Sequence, residues 1–206
     1  MSFAGVVLFG YLLGSCPWGY WLVRIFKHED IRKVGSGNIG ATNVWRTYGK
    51  SLGIPVVVLD TLKGYIPALA GMLLVTPHDL AALAAGGAAM LGHWRPLFLG
   101  FRRGGKMVAT AGGAFLGVAP LVGLCAAGVW LAVFGVTRYA SVASMVSAVS
   151  LAFWAWLLGY PWPVIAFGAA AGAGVVFLHR ANIARLRRGE ENRFRGLRRS
   201  TSATSP

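Results

Sequence analysis

Acidic residues are scarce in this chain: six Asp and Glu stand against twenty Lys and Arg in 206 residues. With Asp30, Asp60 and Asp79 as the whole aspartate complement, the multi-aspartate motif of CDP-alcohol phosphotransferases is impossible. Cysteine is equally sparse. Cys16 and Cys125 both sit inside apolar runs, without metal-site spacing or the density of a disulfide scaffold, and read as packing residues. No Lys or Arg precedes Arg24, so the positive charge that opens a cleaved signal peptide is missing. A net charge of +14 raises the question of nucleic acid, but no stacking-and-basic module accompanies it. Basic loops between apolar spans account for the charge instead, so nucleic acid is excluded as a partner.

Apolar residues are abundant, at 56% of the chain with a mean hydropathy of +0.60, and that composition belongs to an integral membrane domain. A helix needs about 20 residues to cross roughly 30 Å of hydrocarbon. Apolar runs at 3–26, 52–75, 80–94, 107–118, 121–136, 141–158 and 164–178 therefore predict an all-α membrane protein of about seven transmembrane helices. The fourth is short, rising only about 18 Å at 1.5 Å per residue. Arg24 and Lys27 follow the first run and nothing basic precedes it, which puts the N-terminus outside and the C-terminus in the cytoplasm.

On that topology every Lys and Arg except Lys63 is cytoplasmic or at the cytoplasmic membrane edge. Trp18, Trp21, Trp94 and Trp162 fall near span ends, as interfacial anchors do. Small residues crowd the third, fourth and seventh runs, allowing close helix contact. Asp60 and Lys63, three apart on one helix face, are costly within a span and read as a mutually stabilising pair. The domain is expected over residues 1–192, with a basic, disordered cytoplasmic tail over 193–206.

Three cytoplasmic blocks carry the candidate chemistry. In Gly35-Ser36-Gly37-Asn38-Ile39-Gly40-Ala41-Thr42-Asn43, followed by a helix through Arg46, the glycines permit successive backbone N–H groups to face one centre. Ser36, Asn38, Thr42 and Asn43 add neutral polar groups and Arg46 a fixed charge, the chemistry of a phosphate cradle at a helix start. The block lacks the Gly-Lys-Ser/Thr of a P-loop. A second block, His93 to Lys106, ends in Gly104-Gly105-Lys106 at the start of the short helix and repeats that logic with Arg102 and Arg103 nearby. Two cradles imply two phosphates. In the third, His179, Asn182 and Leu186 share one face if the last helix simply continues.

These blocks make the chain similar to the PlsY family of integral-membrane glycerol-3-phosphate acyltransferases, which use acyl phosphate as donor. The resemblance runs in order through Tyr11-Leu12-Leu13-Gly14-Ser15, the Gly35 to Val44 loop, Leu59-Asp60-Thr61-Leu62-Lys63-Gly64, Gly92-His93, Gly104-Gly105-Lys106-Met107-Val108-Ala109-Thr110, Thr137-Arg138-Tyr139 and His179-Arg180-Ala181-Asn182-Ile183. It implies acyl transfer from acyl phosphate to the 1-hydroxyl of glycerol 3-phosphate, giving lysophosphatidate and inorganic phosphate for phospholipid synthesis. It also implies a bacterial inner-membrane location with the site facing the cytoplasm, membrane lipid as surroundings, and no cofactor or metal.

Carried onto this sequence, the resemblance implies phosphate contacts from Ser36, Gly37, Asn38, Gly40, Thr42, Asn43, Arg46, Gly104, Gly105 and Lys106, with His93 supporting the second loop. His179, Asn182 and Ser36 are the expected catalytic residues. The chain departs from the family pattern in an extra Arg before Gly104 and in Met107, where members usually carry Gly. If that Gly supplies a positive φ or close backbone approach, a side chain there crowds the motif. An organic-phosphate transporter and an inactive paralogue are the competing readings. The His-x4-Asp of other glycerolipid acyltransferases is absent, since none of His28, His78, His93 and His179 is followed by Asp at that spacing.

The charge asymmetry makes a direct prediction. A cysteine placed at His78 should label from outside the cell and one at Ser200 only from inside; labelling of both from one side would overturn the seven-span topology.

Overall fold

The computed structural model describes residues 1–194, and among them every regular element is helical. The helices are α1 (Phe3–Gly14), α2 (Trp18–Lys27), α3 (Ala41–Tyr48), α4 (Lys50–Leu74), α5 (His78–Trp94), α6 (Val108–Val118), α7 (Pro120–Thr137), α8 (Ala140–Leu157), α9 (Trp162–Leu178) and α10 (Arg180–Arg187). The second to seventh apolar runs each match one helix within a turn. Phe3–Lys27, Lys50–Leu74, Pro120–Thr137 and Ala140–Leu157 are long and apolar enough to cross a membrane, and α9 with α10 joins them if that bent pair is one span. The short fourth run is α6, whose 11 residues rise about 16 Å.

Two segments differ from expectation. The first run is not one helix, because Pro17 has no N–H to continue the ladder and α1 closes at Gly14. Ser15 Oγ caps the end by donating to the Tyr11 carbonyl at 2.8 Å. The last run does not continue straight either: α10 turns 57° from α9 at His179, whose φ of −93° and ψ of 6° depart from helical values. His179 and Asn182 are nevertheless both buried, while Leu186 is only partly covered.

The core is built on close backbone approach. The α4–α6 contact needs Gly64, where a Cβ would stand 2.0 Å from the Thr110 carbonyl oxygen, and Gly113, where one would stand 1.9 Å from that of Thr61. Helix α5 packs on α1, α4 and α6; α8 lies between α7 and α9. Phe115, fully buried and stacked on Phe167, ties the α6 and α9 faces of the larger apolar cluster.

Inside this packing lies a charged cluster. Lys63, 1% exposed, sets its ammonium 2.8 Å from Asp60 Oδ1 and donates to the Cys16 carbonyl at 2.9 Å. That carbonyl belongs to the break between α1 and α2, so Lys63 satisfies an acceptor the broken helix leaves behind. His93 Nδ1 lies 3.7 Å from the same Asp60 oxygen. Of the tail expected over residues 193–206, Phe194 is partly buried, its N–H donating to the Arg138 carbonyl at 2.9 Å and its ring meeting that of Phe134, while the exposed Arg193 donates from Nε to the Thr137 carbonyl at 3.2 Å. Residues 195–206 lie outside the described residues.

Removing one member of the buried pair strands the other charge. Asp60→Asn should cost about 3–5 kcal/mol in unfolding measured in detergent, whereas Asp60→Leu combined with Lys63→Met should recover much of it. Equal losses in the single and double variants would sink the pairing.

Candidate active site

The first loop folds around Asn43. Buried in the first turn of α3, its Oδ1 accepts from the Ser36 N–H at 2.9 Å and its Nδ2 donates to the Val34 and Asn38 carbonyls at 3.0 and 2.9 Å. Gly35 passes so close that a Cβ would meet Asn43 Oδ1 at 2.4 Å, and its φ of 61° also demands glycine. The Gly37 N–H bonds the Val34 carbonyl at 3.1 Å, and the Gly40 N–H bonds Asn38 Oδ1 at 2.8 Å. The expected convergence of these N–H groups on one external centre is therefore not what forms. They are spent on the loop itself because Asn43 and Asn38 supply nearer acceptors.

The second loop is likewise tied down. Gly104 and Gly105 donate their N–H groups to the Trp94 and His93 carbonyls at 2.9 and 3.0 Å, the acceptors left free where α5 ends. A Cβ on Gly105 would fall 1.9 Å from His93 Nε2, so the glycine lets the loop lie flat against the imidazole. His93 supports this loop from below, as expected of it. Met107, the residue before α6, adopts φ 65° and ψ −3°, so a side chain has taken a left-handed position at a cost of about 1–2 kcal/mol.

Both loops and α10 meet at one polar cavity of about 80 Å³, lined by Ser36, Gly37, Asn38, Arg103, Lys106, Ala181, Asn182 and Arg185. Loop one and loop two thus share a centre instead of forming two separate cradles. Neither α3 nor α6 has a side-chain cap, which leaves first-turn N–H groups of both helices without that partner. Thr42 is exposed on α3 and Gly40 is its N-cap. Arg46 does not line the cavity; its guanidinium lies over the Phe194 ring, donates from Nη2 to the Asn192 carbonyl at 3.3 Å, and holds a buried Nε with no partner among the described residues.

Asn182 is the junction of the site. Its Oδ1 accepts from Lys106 Nζ, and its Nδ2 donates to Glu191 Oε1 at 2.7 Å. Expected to orient a substrate, Asn182 here positions a lysine. Glu191 also accepts from Ser141 Oγ at 2.8 Å and from Arg185 Nε at 2.7 Å. Burial pushes the Glu191 carboxyl up, but hydrogen bonds from Asn182, Ser141 and Arg185, with the Arg185 charge, prevail and hold it below its ordinary range. Burial first, then the charges of Arg185, Arg103 and Arg46, pulls the Lys106 ammonium down to about 8 against the opposing pull of Glu191. His179, 3% exposed, sets Nδ1 2.8 Å from the Val175 carbonyl, which fixes the proton on that nitrogen and leaves Nε2 as the acceptor.

Ser141 was read from sequence only as the start of a span, and nothing local marks a serine fifty positions from its carboxylate partner. Arg103 and Arg185 were visible as charges but not as neighbours. Among the described residues no three of His, Cys, Asp and Glu lie close enough together to share a metal ion.

Comparison with known proteins places the chain in a family. The family model for glycerol-3-phosphate acyltransferase matches residues 4–189. The glycerol-3-phosphate acyltransferase of Aquifex aeolicus is 43% identical over 189 residues, covering 92% of this chain and 97% of its own. That of Desulforudis audaxviator is 44% identical over 197 residues, covering 94% and 98%. Two crystal structures of PlsY, an integral membrane glycerol 3-phosphate acyltransferase, superpose closely. The glycerol 3-phosphate form has a TM-score of 0.89 at 42% identity, covering 94% of this chain and 96% of that one. The lysophosphatidic acid form has 0.86 at 40%, covering 94% and 95%. Matched along nearly its whole described length in sequence and in fold, the chain belongs to the integral-membrane glycerol-3-phosphate acyltransferase family.

Proposed function

We propose that this acyltransferase takes its acyl group from an acyl phosphate, passes it to the 1-hydroxyl of glycerol 3-phosphate, and releases lysophosphatidate and inorganic phosphate at the cytoplasmic face of a bacterial inner membrane. The observation that carries this reading is the single cavity in which Arg103, Lys106 and Arg185 gather beside Ser36 and Asn38. Such a site suits two phosphate-bearing reactants. It also supplies little that would serve as a covalent nucleophile.

An acyl phosphate needs none, because its phosphate is a good leaving group and the barrier yields to positioning and charge stabilisation. The glycerol hydroxyl oxygen forms a bond to the carbonyl carbon as the carbon–oxygen bond to phosphate breaks, and the hydroxyl proton passes to a phosphate oxygen. Lys106, held by Asn182, which Glu191 anchors in turn, binds phosphate oxygens with Arg103 and Arg185. Ser36, Gly37 and Asn38 form the opposite wall, while Gly40, Thr42 and Asn43 hold the shape of that loop. The uncapped starts of α3 and α6 favour negative charge. Arg46 turns its unpartnered Nε toward a reactant once one is bound, and His179 Nε2 accepts a hydrogen bond from glycerol 3-phosphate. One transmembrane domain over residues 1–192 suffices for this chemistry, with no cofactor or metal.

Purified protein in lipid, given acyl phosphate and glycerol 3-phosphate, should release equal amounts of lysophosphatidate and inorganic phosphate, with acyl-CoA and acyl carrier protein poor donors. Robust acyl-CoA turnover would overturn the donor assignment. Uptake of glycerol 3-phosphate without chemistry would mark a transporter, and a folded protein with neither activity an inactive paralogue.

The charge state of Lys106 gives a second test. Free enzyme loses that charge as pH rises through about 8, so kcat/KM for glycerol 3-phosphate should fall above that point. Lys106→Arg keeps its charge and should move the basic limb upward, whatever it does to the maximal rate. Superimposable basic limbs would remove Lys106 from phosphate binding.

A further inference from the structure

Lys106 and Met107 are neighbours in sequence that face different cavities. Lys106 lines the polar one. Met107 lines an apolar cavity of about 300 Å³ between α5 and α9, walled by Gly87 and Trp94 on one side and Phe167, Gly174 and Leu178 on the other. From Gly87 to Trp94 the α5 wall runs about 10 Å. Met107 is 6% exposed, and its Cε reaches so near α9 that a Cβ on Gly174 would stand 3.0 Å from it. The thioether therefore fills space in the apolar cavity, one residue from the lysine that lines the polar one. Its backbone pays for that position with a φ of 65°, which glycine would adopt freely.

From this geometry we infer that Met107 is a specificity-determining residue, setting the longest acyl chain that the donor can present while its phosphate lies against Lys106. The inference rests on the acyl-phosphate reading above. A reactant with an anionic head and an apolar tail, gripped at the Lys106 cavity, has its nearest apolar refuge across Met107. With consecutive residues lining the two cavities, the occupant that reaches from one to the other is the donor's own chain.

The test is the ratio of kcat/KM between long and medium straight-chain acyl phosphates in protein reconstituted in lipid. Met107→Gly removes the thioether and should raise that ratio roughly tenfold or more, the scale on which apolar pockets discriminate methylene groups. Met107→Leu, which keeps apolar bulk, should leave the ratio near its native value. Gly174→Ala pushes the Met107 methyl into the cavity and should lower the ratio, but only while Met107 is present; in the Met107→Gly background it should change nothing.

Release of backbone strain or occupation of the cavity by a bilayer lipid tail alters turnover of all donors alike, so a flat ratio in Met107→Gly overturns the inference while leaving acyl transfer intact. An effect of Gly174→Ala that persists without Met107 overturns it equally. Native protein that turns over no acyl phosphate of any length overturns the functional reading first and this one with it.

Discussion

A lysine ammonium buried away from water is tolerated only with partners on every side, and Lys63 finds them in Asp60 and the Cys16 carbonyl. Much of the site follows from that requirement. The carbonyl lies in the break at Pro17, where it accepts from the Trp18 N–H as well as from Lys63, so Lys63 ties α4 to the start of α2. Asp60 faces His93, and His93 is the surface on which Gly105 rests. One ion pair in α4 thus stands behind the first loop through Cys16 and behind the second through His93. Residues that never reach the cavity set the mutual placement of the two loops that form it.

The second organising centre is a carboxylate. In a chain with six acids, Glu191 gathers Ser141 from α8, Asn182 and Arg185 from α10, and through Asn182 the lysine of the second loop. Lys106, Arg103, Arg185 and Arg46 would repel one another without it, and its charge relieves part of that repulsion. The arrangement leaves a cavity lined by three cations, Arg103, Lys106 and Arg185, with Arg185 held to the carboxylate.

Most of the helices were legible in the sequence because a membrane forces apolar residues into runs of readable length, as α4 and α7 illustrate. The short α6 was visible for the same reason, since 107–118 is bounded by Lys106 and Pro120. The break in the first run was hidden: Cys16 and Trp18 are as apolar as their neighbours, and only Pro17 marked the place. The bend at His179 was hidden too, because it depends on where Asn182 finds Lys106 and Glu191, partners far apart in sequence. The three motif blocks were legible as blocks, but the loop glycines and Asn43 were read as facing outward to a ligand. Their N–H and carboxamide groups face inward, since acceptors supplied by the fold lie nearer than any substrate. Met107 shows the opposite failure: sequence marked it as a misfit, while the structure gives its side chain a berth in the apolar cavity between α5 and α9.

Glu191 and the Asn192 carbonyl that meets Arg46 come late in the chain, after every helix they brace. During synthesis, at roughly 5–20 residues per second, the ribosome delivers both phosphate loops well before it delivers the carboxylate that organises them. A nascent chain therefore carries its lysine and arginines without their shared counter-charge until Glu191 is added. Assembly of the cavity thus waits on a residue that follows every helix it braces, since Ser141, Asn182 and Arg185 all bond to Glu191.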